Sequence, residues 1–121
     1  MKIKSFEEIK SWQLAKDLTL SVYKLFKDNK DFGFKDQIQR ASVSVMNNIA
    51  EGFERQTDKE FINFLYIAKG SAGEVRSMLH LSKELNYISD DNFKNLSNSY
   101  LQVSRLLHAL INSIKTNTNN Q

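Results

Sequence analysis

Residues 37–71, QIQRASVSVMNNIAEGFERQTDKEFINFLYIAKGS, carry the strongest structural signal in this chain. They predict two helices joined by a capped break. Four polar residues recur at intervals of three or four and therefore share one face of the first of these helices: Arg40, Ser44, Asn47 and Glu51. Apolar residues line its other side, namely Phe34, Ile38, Ala41, Val45, Ile49 and Phe53. The ordered polar face indicates a specified surface, but it does not identify what that surface binds.

The composition around this stretch is typical of one helical domain. The chain has 121 residues, no proline and four glycines, which suits long uninterrupted helices. The absence of cysteine excludes disulfides, thiolate metal sites and a cysteine nucleophile. The start, MKIKSFEEIKSWQ, has no apolar leader segment, and no apolar run approaches the length of a membrane span. We therefore expect a soluble, cytoplasmic protein that is neither secreted nor inserted in a membrane.

Capping patterns divide the chain into four predicted helices, at residues 6–29, 34–55, 57–85 and 89–115. Two capping boxes open the first and third helices: Ser5 with Glu8, and Thr57 with Glu60. Asn86 is expected to end the third helix in a left-handed conformation, and Ser89 is expected to cap the fourth. The polar tail, residues 116–121, is expected to fray.

The fourth predicted helix carries an apolar seam at alternating spacings of three and four, which is the heptad pattern of a helical bundle. The seam consists of Phe93, Leu96, Tyr100, Val103, Leu107, Leu110 and Ile114. Short connections between long helices force neighbours to run antiparallel. The predicted fold class is therefore all-α, an up-down-up-down four-helix bundle that forms a single domain over residues 1–121.

The apolar faces of the first two predicted helices are broader than the stripe of about 100° that one bundle interior requires. In the first helix they comprise Trp12, Leu14, Ala15, Leu18, Val22, Tyr23 and Phe26. In the second they comprise Phe34, Ile38, Ala41, Val43, Val45, Met46, Ile49, Ala50 and Phe53. This breadth favours packing between subunits, as a ring-like homo-oligomer. The alternative is deeper burial inside a monomer.

Small residues in the third predicted helix indicate a close helix approach. Gly70 and Gly73 lie beside Ala68, Ser71 and Ala72, and a glycine inside a helix usually marks a place where another backbone comes near. We expect this contact to be with the second helix or with a neighbouring subunit. A phosphate-binding loop is excluded, because backbone amides in the middle of a helix are already bonded.

The net charge is +3, and residues 1–40 hold nine Lys and Arg against six Asp and Glu. The candidate phosphate contacts in the first helix are Lys10, Lys16, Lys24 and Lys27. In the third helix Lys69, Arg76 and Lys83 are spaced seven apart, about 10.5 Å along the axis, with His80 beside them. Such a line can neutralise alternate phosphates of RNA or DNA without reading bases. In the alternative interpretation, their aliphatic stems cover the edge of the core.

The remaining charged residues and the two histidines favour structural roles over ligand binding, metal binding or catalysis. Ion pairing is favoured over phosphate binding for Arg40 and Arg55. The candidate partners of Arg40 are Glu51 across a subunit boundary and, on its own helix, Glu54 and Asp36. His80 and His108 are each solitary on their helices and lack the Glu-x-x-His pairing of a di-iron bundle. No enzyme activity, metal or cofactor is expected.

Residues 37–75 resemble the core signature of four-helix bundle proteins associated with intervening sequences in 23S ribosomal RNA genes, also called S23 ribosomal proteins. The segment Ile9–Ala15, with its tryptophan, matches as well, and the similarity extends from about Phe6 to Ile114. The motif positions expected to be structural or to lie at a subunit interface are Arg40, Ser44, Asn47, Asn48, Glu51, Gly52, Arg55, Gly70 and Ser71.

This resemblance implies a bundle that assembles into a barrel-shaped homopentamer. A related branch, the accessory variability determinant of diversity-generating retroelements, works with a reverse transcriptase and RNA. Membership of the ribosome does not follow from the label, which reflects where the coding sequence lies. The chain departs from the family pattern at three positions: Met46 replaces a usual proline, Lys69 a usual arginine, and Arg76 a frequent acid.

Two functions fit these observations. In the first, a homo-oligomer binds RNA or DNA through phosphate contacts on its basic helix faces. In the second, the oligomer is a protein-interaction scaffold or an accessory subunit, for example of a reverse transcriptase, with apolar contacts such as Ile62 or Tyr66.

Overall fold

The structure of the protein, a computed structural model, describes residues 3–119. This part of the chain contains no strand; a 3₁₀ turn at Phe6–Glu8 is followed by four α-helices. The helices are α1 (Lys10–Leu25), α2 (Phe32–Phe53), α3 (Asp58–Glu84) and α4 (Asp90–Asn119). Within the described range, no helix has the length and hydropathy that a membrane span requires.

The first helix is shorter than predicted at both ends. The Ser5–Glu8 box caps the 3₁₀ turn instead, with the Glu8 carboxylate accepting hydrogen bonds from the amides of Lys4 and Ser5 at 2.9 Å. Ile9 then adopts an extended conformation and buries its side chain, so α1 starts only at Lys10. Phe26, which is fully buried, follows the last residue of α1. The chain bends at both places because an apolar side chain turns into the core.

The predicted caps form, with two differences in the helix bounds. The Thr57 hydroxyl accepts a hydrogen bond from the Glu60 amide at 3.1 Å, and Asn86 ends α3 with a left-handed φ of 61°. Helix α2 begins earlier than predicted because Asp31 caps it, accepting from the Phe34 amide at 3.3 Å. Helix α4 continues to Asn119 instead of fraying from residue 116, since this stretch has neither proline nor glycine to stop it. Residues 120 and 121 of the predicted tail lie outside the described range.

The core follows the predicted seam of α4. Its buried members are Leu96, Tyr100, Val103, Leu107 and Ile114, while Phe93 and Leu110 are half-buried. Ile111, which the heptad pattern omits, is buried, because a helix of 3.6 residues per turn drifts from a repeat of 3.5. Burial of Tyr100 in this seam raises the pKa of its hydroxyl far above the usual value, so this side chain is neutral.

The apolar residues singled out on the first two predicted helices are, with one exception, covered within the chain, so they do not form the expected surplus of exposed surface. None of the nine apolar residues singled out on α2 is exposed, and of the seven singled out in the first helix only Tyr23 is. Helix α2 packs against α1, α3 and the 3₁₀ turn, so three neighbours cover its broad apolar face. The exposed large apolar residues of the described chain are Leu20, Tyr23, Phe32, Tyr66, Ile67, Leu81 and Leu85.

Each helix contacts two others. Helix α3 packs against α2 and α4, and α1 packs against the same two helices, whereas α1 and α3 do not contact each other within the described chain. Late residues of one helix meet early residues of the next: Phe53 of α2 lies against Phe61 of α3, and Lys83 of α3 lies against Phe93 of α4. Helices α1 and α3 therefore lie diagonally across the bundle, separated by α2 and α4.

Tyr87 ties the α3–α4 connection to the start of α2. Its hydroxyl donates a hydrogen bond of 2.6 Å to Asp31, the residue that caps α2, and its ring stands edge-on to Phe34. The hydrogen bond to the Asp31 carboxylate raises the pKa of Tyr87, and the negative charge of Asp31 acts in the same direction. One side chain thus connects two helix ends that are far apart in the chain.

The close helix approach occurs at Gly52 rather than at Gly70 or Gly73. A Cβ atom at Gly52 would lie 2.6 Å from the Cβ of Phe64 and 3.0 Å from the ring of Phe61. A Cβ atom at Gly70 or Gly73 would meet nothing within 4 Å. The expected packing of these two glycines against the second helix is therefore wrong within this chain.

Gly52→Ala is expected to lower the free energy of unfolding by about 1–3 kcal/mol, because the Cβ of Phe64 is fixed to the backbone of α3 and cannot move aside alone. Gly70→Ala, the matched control in open space, is expected to raise it by about 0.5–1 kcal/mol through helix propensity. Urea denaturation of both variants measures the difference. Equal stability of the two variants would contradict the close approach at Gly52.

Candidate nucleic-acid interface

The predicted basic line of α3 faces α4. The Nζ atom of Lys83 lies 5.0 Å from the centre of the Phe93 ring, and the His80 ring stands edge-on to the same phenylalanine. Lys69 and Arg76 line a cleft between the two helices. The three cations of the line therefore border one groove, and their side chains are half-buried along it.

Helix α4 supplies the other wall of this cleft. The cleft has a volume of about 490 Å³ and is lined by Lys69, Gly73 and Arg76 from α3 and by Leu101, Ser104, Arg105 and His108 from α4. None of these lining residues is acidic. We call this site the basic cleft. Three permanent cations and one histidine meet in it without a carboxylate to neutralise them, which is the charge distribution that attracts a phosphate.

Sequence reasoning missed Arg105 and His108 as members of this site. A signal was available, since no Asp or Glu follows Asp91 in the chain while Lys94, Arg105 and Lys115 do. However, the side of α4 on which Arg105 lies depends on how α4 packs against α3. Charge counts over residues 1–40 and 41–121 pointed to the first helix and the turn after it instead.

Arg76 is the least satisfied group of the cleft. Its Nε atom is shielded from solvent and has no hydrogen-bond partner. A buried donor left unpaired costs about 1–3 kcal/mol. The ion pairs of the described chain involve Arg40 and Arg55, not the cations of the basic cleft. The Nε–H of Arg76 is therefore a donor that the fold itself leaves unpaired.

The candidate lysines of the first predicted helix, of which Lys27 lies beyond the end of α1, are on other surfaces. Lys16 lies over the Trp12 ring at 5.5 Å, and the backbone carbonyl of Lys27 accepts a hydrogen bond from Lys35. Lys24 and Lys10 line two separate grooves between the N-terminal part of the chain and α4. Because α1 is diagonal to α3, these lysines do not join the basic cleft directly. Helix α4 lies between the two sets.

Arg40 and Arg55 form ion pairs within the chain. The Nε atom of Arg40 lies 2.8 Å from Asp36, and the Nε atom of Arg55 lies 3.2 Å from Glu60. Arg55 also lies 3.9 Å from Glu51 and stacks over the Phe64 ring. Both arginines remain on the surface, on the side of the molecule formed by α2 and the start of α3.

Several other family-motif residues form a polar contact between α2 and α3. The hydroxyls of Ser44 and Ser71 are 2.9 Å apart, and the Asn48 amide donates to the Ser44 carbonyl at 2.8 Å and hydroxyl at 3.0 Å. Gly52 is buried at the close approach described above, while Asn47, Glu51 and Gly70 are exposed. The motif thus holds two helices together on its inner side and leaves a polar surface outside.

An exposed apolar edge lies on the opposite side of α3 from the basic cleft. Ile67 and Leu81 are each seven residues from Glu74, which accepts a hydrogen bond from Gln37 of α2, so both face the α2 side. Leu85 continues this edge, and about half of each side chain is exposed. Of the two apolar contacts suggested by the sequence, Tyr66 is exposed but Ile62 is half-buried against the core.

Arg76→Met is expected to leave the free energy of unfolding unchanged or to raise it by up to about 1 kcal/mol, because methionine keeps the aliphatic stem and removes the unpaired Nε–H. Arg55→Met, the control, breaks an ion pair and a ring contact and is expected to lose about 0.5–1 kcal/mol. Thermal and urea unfolding measure both. A larger loss for Arg76→Met than for Arg55→Met would show that Arg76 serves the fold rather than a ligand.

Comparison with known proteins places the chain in a family. A family model described as "23S rRNA-intervening sequence protein" matches residues 7–109. One matching crystal structure is of a protein of unknown function from the S23 ribosomal protein family of Bacteroides thetaiotaomicron. It is 27% identical, has a TM-score of 0.78, and the match covers 84% of this chain and 97% of that one. No curated protein matches. The chain belongs to the 23S rRNA-intervening sequence protein family.

Proposed function

We propose that this protein is a non-enzymatic nucleic-acid-binding subunit that contacts RNA or DNA phosphates through the basic cleft. The observation that carries the proposal is the meeting of Lys69, Arg76 and Arg105 from two helices in one cleft without an acidic lining residue. Phosphate contacts supply most of the affinity of non-specific nucleic-acid binding. The guanidinium group of Arg76, which lines the cleft, can donate hydrogen bonds to a phosphate oxygen.

The exposed face of α4 supports the same proposal. Asn98 and Asn112 are exposed, neutral amides that lie seven residues from Arg105 and therefore on the same face of α4, while Asn95 lines the groove that holds Lys24. Amide side chains donate to phosphates and to base edges without adding repulsive charge. On its other side α4 borders the grooves that hold Lys24 and Lys10. A strand lying across α4 would reach both sets of cations.

The proposal includes assembly of up-down-up-down bundles into a ring-shaped homo-oligomer, a homopentamer by family resemblance. The exposed apolar edge of Ile67, Leu81 and Leu85 provides a surface for a second copy of the chain. It adjoins the polar face of α2 that carries Arg40, Asn47 and Glu51. Because this edge lies away from the basic cleft, a neighbouring subunit could cover it and leave the cleft open to nucleic acid.

A protein-interaction scaffold, for example an accessory subunit of a reverse transcriptase, is the second candidate. The same apolar edge favours it, since half-exposed leucine and isoleucine side chains suit a protein partner better than a phosphate. The two functions differ in their response to salt. Phosphate contacts weaken steeply as salt rises, whereas apolar contacts do not.

Charge reversal in the basic line tests the nucleic-acid proposal. The triple variant Lys69→Glu, Arg76→Glu, Lys83→Glu is expected to abolish binding of RNA and duplex DNA at low salt. Wild-type affinity should fall steeply with salt, by roughly 0.7 logarithmic units per contacted phosphate for each tenfold increase for a single strand. Fluorescence anisotropy with labelled oligonucleotides measures both quantities.

A control variant of equal charge separates local contact from net charge. Lys4→Glu, Lys30→Glu, Lys59→Glu changes the net charge by the same amount at exposed positions outside the cleft. We expect it to retain most of the wild-type affinity. If the wild type does not bind at low salt, or the cleft variant binds as well as the control, the proposal is wrong.

The apolar edge predicts assembly. The double variant Ile67→Glu, Leu81→Glu is expected to yield a smaller species than the wild type in light scattering, since buried carboxylates oppose a subunit contact. Phe32→Glu, at an even more exposed apolar residue outside this edge, is expected to keep the wild-type mass. A wild-type protein that remains monomeric at high concentration would exclude the oligomer.

A further inference from the structure

We propose that the basic cleft holds one unstacked nucleotide, with its phosphate between Arg76 and Arg105 and its base on the floor formed by Gly73 and Leu101. The inference rests on the proposed function, because it assigns the ligand of the same site. It adds a preference for single-stranded over duplex nucleic acid, and it predicts that a free mononucleotide binds.

The shape of the cleft fits a nucleotide better than a row of phosphates. A volume of about 490 Å³ lies within the range of small-molecule sites. A backbone running along a flat basic face needs no such depression. The floor also has room for a flat ring, because a Cβ atom at Gly73 would meet nothing within 4 Å.

The lining has a charged part and an apolar part, as a nucleotide has a phosphate and a base. Lys69, Arg76 and Arg105 provide charge for the phosphate, and the half-buried Leu101 with the bare backbone of Gly73 provides an apolar surface for a base. A site for inorganic phosphate alone would have no use for the apolar part. An acidic peptide would not use the open space above Gly73, since a carboxylate side chain carries no flat ring.

Two groups in the cleft are already oriented for this ligand. The guanidinium group of Arg76 lines the cleft, so a phosphate oxygen in the cleft can accept a hydrogen bond from it. The His108 ring is held by a hydrogen-bonding contact of 3.2 Å with Asn112 at its Nε2 atom, one turn further along α4. Histidine rings and guanidinium planes are surfaces on which unstacked bases lie in single-strand complexes.

A duplex cannot use these features. Its bases are stacked and paired, so only its phosphates would reach the cations at the rim of the cleft. A single strand can turn one base into the cleft at little cost, whereas a duplex must first break a pair and two stacks. The preference for single strands therefore follows from the open apolar surface at Gly73 and Leu101 rather than from the charge of the cleft.

The test uses the full chain, adenosine monophosphate, inorganic phosphate, and a short oligonucleotide as single strand and as duplex. NMR titration with adenosine monophosphate is expected to shift the Leu101 methyl signals and the His108 ring signals, more strongly than inorganic phosphate at the same concentration. The single strand is expected to bind about tenfold more tightly than the duplex, a ratio typical of one stacked base.

Filling the cleft without changing its charge provides the decisive variant. Gly73→Leu places a side chain in the open space and is expected to weaken single-strand and mononucleotide binding about tenfold while leaving duplex binding nearly unchanged. Gly33→Leu is the matched control, because its Cβ position is equally open and lies at the start of α2. Circular dichroism of both variants checks that the helices are intact.

The outcomes separate this inference from the proposed function. If both polymers bind with steep salt dependence, but the mononucleotide gives no shifts and Gly73→Leu has no effect, the nucleotide site is wrong and the phosphate-binding function stands. If inorganic phosphate gives the same shifts as the mononucleotide, the base site is wrong. If the mononucleotide binds and neither polymer does, the proposed function is wrong and the cleft remains a nucleotide site.

Discussion

Helix α3 lies between α2 and α4, and its position depends on one buried strip of side chains. The strip contains Phe61, Leu65, Ala68, Ala72, Val75 and Leu79, all within the core. Alanines in its middle allow the neighbouring helices to approach, and Gly52 of α2 accepts the Phe64 side chain against its bare Cα. Burial of such a strip is the main favourable term in folding, so α3 cannot rotate without exposing it. The positions of the apolar edge and of the basic cleft follow from that fixed rotation of α3.

The rotation of α3 separates two surfaces with different chemistry. The Ser44–Ser71 contact and the Gln37–Glu74 hydrogen bond fix one side against α2, next to the apolar edge of Ile67 and Leu81. The opposite side faces α4 and carries the basic cleft. A subunit contact on the first side would not compete with a ligand on the second. Assembly and nucleic-acid binding can therefore coexist on one helix.

The basic cleft is a place where the protein gives up stability. Cations that repel one another, and a buried guanidinium N–H without a partner, both oppose folding. Elsewhere the chain pairs its arginines, as Arg40 with Asp36 and Arg55 with Glu60. Proteins often leave polar or charged groups unpaired at functional sites, because a bound ligand supplies the missing partner. Buried unpaired oxygens also occur at Ser11 and Tyr100, so the absence of acidic residues from the cleft is what distinguishes it as the proposed ligand site.

Local sequence patterns were sufficient to predict the four helices, their caps and the family. Thr57, Ser89 and Asn86 act on groups within a few residues of themselves, so their roles are readable without a fold. The seam of α4 is readable for the same reason, because its period follows from helix geometry. The motif around Ser44 and Gly52 likewise identified the family before any contact was known.

Packing alone determined which side chains meet. The broad apolar face of α2 is covered within the chain because three neighbours surround it, and the close glycine is Gly52 rather than Gly70. Arg105 and His108 join the α3 cations only through the way in which α4 lies against α3. These contacts link residues of different helices, and their geometry depends on the rotation of whole helices. Such rotations arise from the sum of many buried contacts, which no local pattern encodes.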